Sequence, residues 1–375
     1  MNKKLKVMTI LGTRPEIIRL SEVIKACDMA FDHILVHTGQ NYAYELNGVF
    51  FKELGLRQPD YTLNCVGKNL GETMGNVITK TYDLIDEVKP DAILILGDTN
   101  SALSAISAKR VKCPIFHMEA GNRCWDWNVA EMTNRTIVDH ISDVNLPYSH
   151  VAFDNLIREG MSANRTFITG SPMKQVIMAH QSEIDDCDVL KTMGLKEDGY
   201  IVMSAHREEN VDIEEKFNRL YPALNRIADD YKMPVIFSVH PRTQKQFDKK
   251  GFKLSKFIQD DKPFGFFEYI NLQKHAYVVL SDSGTLTEES SILDFPAVLI
   301  RTSTERQEGI IHGSIVTGGV DYESINEAIK KARFIHREGP KPSIVPDYDV
   351  ENVSSQVVEF IQKYVDVVNK ETWLE

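Results

Sequence analysis

The sequence predicts an α/β protein of two doubly wound domains, each a parallel sheet covered by helices on both faces. Three observations carry this expectation. Short apolar runs alternate with longer helical patterns, the arrangement of a covered parallel sheet. The alternation restarts after Gly170-Ser171-Pro172. The chain also has 375 residues, more than one ordinary core accommodates.

In the first half the strand-like runs are Leu5–Leu11, Ile34–His37, Ala92–Leu96, Pro114–Phe116, Val144–Leu146 and Thr166–Ile168. Helical patterns over Glu72–Val88 and Ser101–Val111 lie between them. In the second half the runs are Tyr200–Ser204, Val235–Val239, Tyr277–Leu280 and Ala297–Ile300. Phe217, Leu220, Tyr221, Leu224 and Ile227 recur at helical spacing between two of these. The expected domains are residues 1–172 and 173–352, and a cleft between two such domains is a favoured ligand site.

Composition narrows the function classes. Hydrophobic content of 42% and charged content of 26% suit a globular protein. A net charge of −11 argues against a nucleic-acid partner, which calls for a basic surface. The five cysteines, Cys27, Cys65, Cys113, Cys124 and Cys187, are scattered and form no CxxC, so neither a disulfide framework nor a metal site is expected. The basic start Met1-Asn2-Lys3-Lys4 precedes an apolar run too short for a signal peptide. No run approaches the ~18 apolar residues of a membrane span. A reduced, cytoplasmic setting with no membrane partner is the expectation.

Chemistry is expected where strands end, since open α/β sheets bind ligands at the carboxyl ends of their strands. The first strand leads to Gly12-Thr13-Arg14-Pro15-Glu16 and a helix carrying Arg19. Pro15 suits a first helical turn, and free N–H groups there with Arg14 could hold an anion. Ala92–Leu96 ends in Gly97-Asp98-Thr99, where Asp98 is either a helix cap or a carboxylate facing a cleft. Pro114–Phe116 runs into His117-Met118-Glu119-Ala120-Gly121. Glu131 follows at the start of a helical pattern bearing Ile137, Val138 and Ile141. Two carboxylates in unequal surroundings can supply an acid and a base, although a glutamate at a helix start is commonly a dipole partner. In the second half His206 and His240 both stand at strand ends, and Ser283-Gly284-Thr285 opens a helix as a diphosphate cradle. A carboxylate one turn into that helix, Glu288 or Glu289, reaches a ribose diol.

These residues have a known counterpart. Gly12-Thr13-Arg14-Pro15-Glu16, His37-Thr38-Gly39-Gln40, Gly97-Asp98-Thr99, His117 to Gly121, Asn134-Arg135, Asp282-Ser283-Gly284 with Glu288-Glu289, and Thr304-Glu305-Arg306 resemble the non-hydrolysing UDP-N-acetylglucosamine 2-epimerase family, in order over nearly the whole chain. The resemblance implies a GT-B-like pair of Rossmann-like domains with a UDP-sugar in the cleft. It also implies a last helix, about residues 353–375, that returns to the first domain, a homodimer, and no cofactor or metal. By the same resemblance Asp98, Glu119 and Glu131 are the catalytic carboxylates. His206, grouped with the catalytic set, and Arg14 contact the diphosphate with Ser283, Gly284 and Thr285. Glu289 holds the ribose, Arg135 serves the sugar site, Phe267 meets the uracil, and Arg19, His240 and Arg306 complete the substrate contacts. The family reaction removes the C2 proton as UDP leaves C1, then re-adds UDP to the resulting 2-acetamidoglucal with a proton on the opposite face of C2.

The chain departs from the family pattern at Arg19, where a lysine is usual, at Ala130-Glu131-Met132 for Pro-Glu-Glu, and at Ser283-Gly284-Thr285 for Ser-Gly-Gly. It also carries Gln40-Asn41-Tyr42 for Gln-His-Arg, a segment that holds an activating second UDP-GlcNAc in bacterial members. Glu16 to Ser21, Gly121 to Asp126, Val138-Asp139-His140 and Ser283-Gly284-Thr285 with Ser290-Ser291-Ile292 resemble the capsule and O-antigen branch that makes UDP-N-acetyl-L-fucosamine. That branch implies UDP-2-acetamido-2,6-dideoxy-L-talose as substrate, with Trp125, Trp127 or Met132 as an apolar wall for its methyl group. UDP-GlcNAc to UDP-ManNAc epimerisation, a hydrolysing epimerase, a GT-B glycosyltransferase and an inactive UDP-sugar-binding module are the competing readings.

Overall fold

A computed structural model describes residues 4–39, 48–239, 241–261 and 264–374 of the chain. His240 and the segment Gln40-Asn41-Tyr42 lie outside the described residues.

The apolar runs of the first half form β1 (Lys6–Leu11), β2 (Asp32–His37), β3 (Tyr61–Thr62), β4 (Ala92–Leu96), β5 (Ile115–Met118) and β6 (Val144–Leu146). These make a six-stranded parallel sheet in the order β3-β2-β1-β4-β5-β6. The second half forms β7 (Ile201–Ser204), β8 (Val235–Ser238), β9 (Ile258–Asp261), β10 (Val278–Ser281), β11 (Ala297–Leu299) and β12 (Val316–Thr317). Its six-stranded parallel sheet runs β12-β11-β10-β7-β8-β9.

The strands are apolar on both sides because helices cover both sides. In the second sheet Ile201, Met203, Val235, Phe237, Val278 and Leu280 pack with the helices Glu214–Tyr231 and Tyr322–Arg333. Their neighbours Val202, Ile236, Val279 and Leu299 pack on the opposite face with Leu272 and Leu286. In the first sheet Met8, Ile10, Ile93, Ile95 and Ile115 form the corresponding core.

One expected strand is not formed. Over Thr166–Ile168 only Thr166 bridges to Asn145. Phe167 instead stacks on Phe360 at 4.6 Å and lies 4.8 Å from Tyr364, both on the helix Val353–Val368. The apolar residue there seats a helix rather than extending a ladder. Three strands are absent from the sequence reading, all of them short: β3 is exposed, β9 is Ile258-Gln259-Asp260-Asp261, and β12 is only Val316-Thr317.

The chain divides into two compact units, Met1–Ala179 with Asp347–Glu375, and His180–Pro346. In the first unit both Met173–Ala179 and Val353–Val368 pack on the helix Arg14–Ala30. No helix among the described residues is long and apolar enough to cross a membrane.

Candidate active site

Counted within its own unit, each sheet has the strand order 3-2-1-4-5-6, which reverses between the first and fourth strands. Ligands of doubly wound sheets bind outside the carboxyl ends at that reversal. In the first unit the reversal lies between β1 and β4, whose ends carry Arg14 and Asp98, with Glu119 after the adjacent β5. In the second it lies between β7 and β10, whose ends carry His206 and Ser283-Gly284-Thr285.

Glu119 is buried and adopts a left-handed backbone, φ +62°, a conformation unusual for a residue with a side chain. Three contacts hold it there. Its N–H donates to the Leu146 carbonyl at 3.1 Å. Arg135 Nη1 donates to its carbonyl, and Arg19 Nη1 pairs with its Oε2. Arg135 Nη2 also reaches Glu119 Oε1 at 3.2 Å and pairs with Asp98 Oδ2. Asn134, one residue earlier on the helix Ala130–Ile141, donates to the Asp98 carbonyl at 3.0 Å. One helix face thus fixes two carboxylates from adjacent strand ends. Glu131 stands in the first turn of the same helix, half-buried, with no hydrogen bond or ion pair among the described residues. Arg14 opens the helix after β1 with its guanidinium 5.6 Å from the Phe50 ring centroid.

Beneath these groups lies a buried charged layer. His117 Nε2 is 2.7 Å from the Gly97 carbonyl, and its Nδ1 is 3.0 Å from Asp139 Oδ1. Asp139 Oδ2 accepts from Arg123 at 2.7 Å and from the Gly121 N–H at 3.1 Å. Burial pushes the Asp139 carboxyl up, but the bond to His117 and the charges of His117, Arg123 and Arg135 outweigh it and hold it below the ordinary aspartate value. Arg123 also grips Glu159 with two bonds, 2.8 and 2.6 Å. Gly121 is required there, since a Cβ would lie 2.3 Å from the Ala152 carbonyl oxygen.

In the second unit Asp282 organises the turn after β7. Its Oδ2 accepts from the His206 N–H and the Arg207 N–H, each at 2.9 Å, and from Asn210 Nδ2 at 3.0 Å. The half-exposed His206 ring sits with Nδ1 3.5 Å from Asp282 Oδ1 and 3.3 Å from Ser204 Oγ. Across the β10 end Ser283 Oγ and Thr285 Oγ1 are 3.0 Å apart. Among the described residues the N–H groups of Gly284 and Thr285 have no protein acceptor. They open the helix Leu286–Leu293, so two donors at a positive dipole end are available to an anion.

A network of arginines and carboxylates backs this turn. Glu305 accepts from Arg207 at 2.8 Å and from Arg301 at 2.6 Å. Burial pushes its carboxyl up, but the charges of Arg207, Arg301 and Arg306 prevail and hold it well below the ordinary glutamate range. Arg306 Nε lies 3.4 Å from Glu288 Oε2. Its guanidinium is pressed on the turn, since a Cβ on Gly284 would stand 2.6 Å from Arg306 Nη1. Glu289 accepts from Gln273 Nε2 at 2.8 Å.

The structure therefore brings Arg19, Asp98, Glu119 and Arg135 into one bonded group, with Glu131 on the same helix as Arg135. It gathers His206, Ser283, Gly284, Thr285 and Arg306 at the β7 and β10 ends. Phe267 lies apart, half-buried, its ring 5.3 Å from that of His180. Sequence reasoning gave no role to Asp282, Glu305, Arg207 or Asp139. A signal existed for each: Asp282, Glu305 and Asp139 stand inside quoted motifs, and Arg207 follows His206.

The chain matches the family described as UDP-N-acetylglucosamine 2-epimerase over residues 25–362. The structure of UDP-N-acetylglucosamine 2-epimerase from Rickettsia bellii is similar to it with a TM-score of 0.92 and 44% identity, covering 99% of this chain and 100% of that one. The UDP-GlcNAc 2-epimerase of Methanocaldococcus jannaschii, solved in complex with UDP-GlcNAc and UDP, has a TM-score of 0.89 and 31% identity, covering 96% and 99%. The UDP-2,3-diacetamido-2,3-dideoxy-D-glucuronate 2-epimerase of Pseudomonas aeruginosa is 32% identical over 367 residues, covering 96% of this chain and 100% of that one.

Proposed function

The chain belongs to the UDP-N-acetylglucosamine 2-epimerase family, and from that premise we propose that it inverts C2 of UDP-2-acetamido-2,6-dideoxy-L-talose to give UDP-N-acetyl-L-fucosamine. Its activity class is that of the family, an isomerase acting on the sugar of a UDP-sugar. The observation that carries the chemistry is the coupling of Asp98 and Glu119 through Arg135, with Glu131 on the same helix.

In the proposed reaction one carboxylate takes the C2 proton as the C1–O bond to UDP breaks. The C–H electron pair becomes the C1=C2 bond of a 2-acetamidoglucal, and the C1–O pair leaves on the β-phosphate oxygen. Return of UDP re-forms C1–O while a second group delivers a proton to the other face of C2. Asp98, Glu119 and Glu131 supply the proton-transfer groups. Arg19 and Arg135 hold two of them in place. The charge growing on departing UDP is met by Arg14, His206, Arg306, the Ser283 hydroxyl and the N–H groups of Gly284 and Thr285. Glu289 takes the ribose and Phe267 the uracil.

The 6-deoxy L-sugar is favoured by the likeness of Gly121 to Asp126 and of Ser283-Gly284-Thr285 to the L-fucosamine branch. It is also favoured by two exposed indoles, Trp125 and Trp127, between β5 and the helix of Glu131. A homodimer in the cytoplasm, feeding capsule or O-antigen assembly, goes with this reading. UDP-GlcNAc to UDP-ManNAc conversion is the second reading, supported by the UDP-GlcNAc bound to the Methanocaldococcus jannaschii relative.

Proton NMR in D2O separates them. Supplied with each nucleotide in turn, the enzyme is expected to place deuterium at C2 of the L-sugar nucleotide and to form UDP-N-acetyl-L-fucosamine. Turnover of UDP-GlcNAc alone moves the assignment to the second reading. Free UDP with a reducing sugar overturns both.

A further inference from the structure

Glu16 is the third residue of the helix Arg14–Ala30 and only 1% exposed. Thr13-Arg14-Pro15-Glu16 has the sequence of a capping box. In that motif the threonine hydroxyl accepts an N–H of the first helical turn, and the glutamate reaches back to the cap's own N–H. Here the box is diverted. The Thr13 side chain makes no cap bond and instead donates to Glu16 Oε2 at 2.8 Å. Glu16 Oε2 takes the Gly12 N–H at 3.1 Å. The same carboxylate crosses to the neighbouring strand end, where Thr99 Oγ1 donates to Oε2 at 3.1 Å and Ser101 Oγ donates to Oε1. Thr99 and Ser101 hydroxyls are themselves 2.6 Å apart.

Four donors from two turns thus converge on one buried carboxylate. One turn ends β1 and leads into Arg14. The other ends β4 and carries Asp98 beside Thr99. These strands are neighbours at the point where the sheet order reverses. A glutamate needed only to start a helix would be served by an exposed position in the first turn. This one is buried, which pushes its carboxyl up, and the hydrogen bonds from Ser101, Thr13, Gly12 and Thr99 only partly counter that. Burying a charge that could have stayed in water is costly unless its bonds serve something else.

We propose that Glu16 is a positioning residue for C2 inversion, which fixes Asp98 relative to Arg14 by bonding the two turns they spring from. This rests on the reading of Asp98 as a catalytic carboxylate. Misplacing a reacting group by about 1 Å costs on the order of 100-fold in rate.

The test uses the full chain with Glu16→Gln, Thr99→Val, Thr99→Ser and the Glu16→Gln/Thr99→Val pair. Thr99→Val removes one of the two hydroxyl bonds that the β4 turn gives to Glu16, Ser101 keeping the other, and leaves Glu16 and the helix start intact, so it decides the matter if Glu16→Gln folds poorly. Turnover is followed with whichever of UDP-GlcNAc and UDP-2-acetamido-2,6-dideoxy-L-talose the wild type converts. Hydrogen exchange of the segment 97–101 is followed in parallel. Thr99→Val and Glu16→Gln are each expected to lower kcat by about 10- to 100-fold with KM within about 3-fold. The double variant should be no worse than the poorer single one, because both act on the same link. Thr99→Ser should retain wild-type kcat, and amides of 97–101 should exchange faster in Thr99→Val. Unchanged kcat, losses that multiply, or unaltered exchange at 97–101 overturns the proposal. If the wild type converts neither nucleotide, both substrate readings fail, and unaltered or faster exchange at 97–101 still decides whether Glu16 joins the turns.

Discussion

Glu305→Gln isolates the charge network behind the second-unit turn. The glutamate stands between two guanidiniums, 2.8 Å from Arg207 Nη2 and 2.6 Å from Arg301 Nη2. Both Glu305 and Arg301 are buried. Glutamine keeps one oxygen for one arginine and turns an NH2 group toward the other, so a donor faces a donor. Removing one partner of a buried ion pair costs about 3–5 kcal/mol, and the retained oxygen places this change near about 3. For a unit of the size of His180–Pro346 that corresponds to about 6–12 °C in Tm. The pH dependence has a definite sign. Despite burial, the three arginines hold the folded-state pKa well below the ordinary value, so the carboxylate's contribution is complete above the unfolded value of 4.5. It is lost as pH falls through the folded value. Wild type and variant should therefore differ most at neutral pH and converge in acid. Calorimetry of the full chain along a descending pH series measures both. A neutral-pH Tm shift under about 2 °C, or a gap that widens in acid, refutes the reasoning.

Gly284→Ala sets a methyl group 2.6 Å from Arg306 Nη1, and Arg306 is buried and cannot swing into water. The expected cost is about 1–3 kcal/mol in urea unfolding, and weaker UDP binding by calorimetry should accompany it. Glu131→Gln removes a carboxylate with no partner among the described residues. Its stability should stay within about 0.5 kcal/mol of wild type in denaturant titration, while kcat falls by about 100- to 10,000-fold in the NMR assay. Asp139→Asn strips a buried carboxylate of its pairing with Arg123 and His117. It should cost about 3–5 kcal/mol at neutral pH. Because the folded Asp139 pKa lies below the ordinary aspartate value, that difference should shrink as pH falls through the folded value.

Much of the fold was legible because buried parallel strands must be apolar on both faces. Leu94-Ile95-Leu96 and Ile201-Val202-Met203 can hardly be anything else. The failures have the same root. β9 is an edge strand that needs no apolar run, and Phe167 is an apolar residue spent on the helix Val353–Val368. At the candidate site, strand ends pointed to Asp98, Glu119 and His206, because turns after strands show their polar residues in sequence. What could not be read was pairing across the chain. Arg135 joins Asp98 from 37 residues away, and Glu305 joins Arg207 from 98 away. Periodicity carries no information on such contacts. Arg135 is expected from the resemblance to serve the sugar site. In the structure it bonds both Glu119 and Asp98, and so holds the groups assigned to proton transfer.

The most direct test of the central claim is one NMR experiment in D2O on a UDP-sugar substrate labelled with 18O in the bond between C1 and the β-phosphate. Elimination and re-addition predict two linked events: deuterium enters C2, and the label spreads from the bridging position to the other β-phosphate oxygens. Deuterium at C2 with the label unmoved would show that the C1–O bond never breaks and would contradict the account.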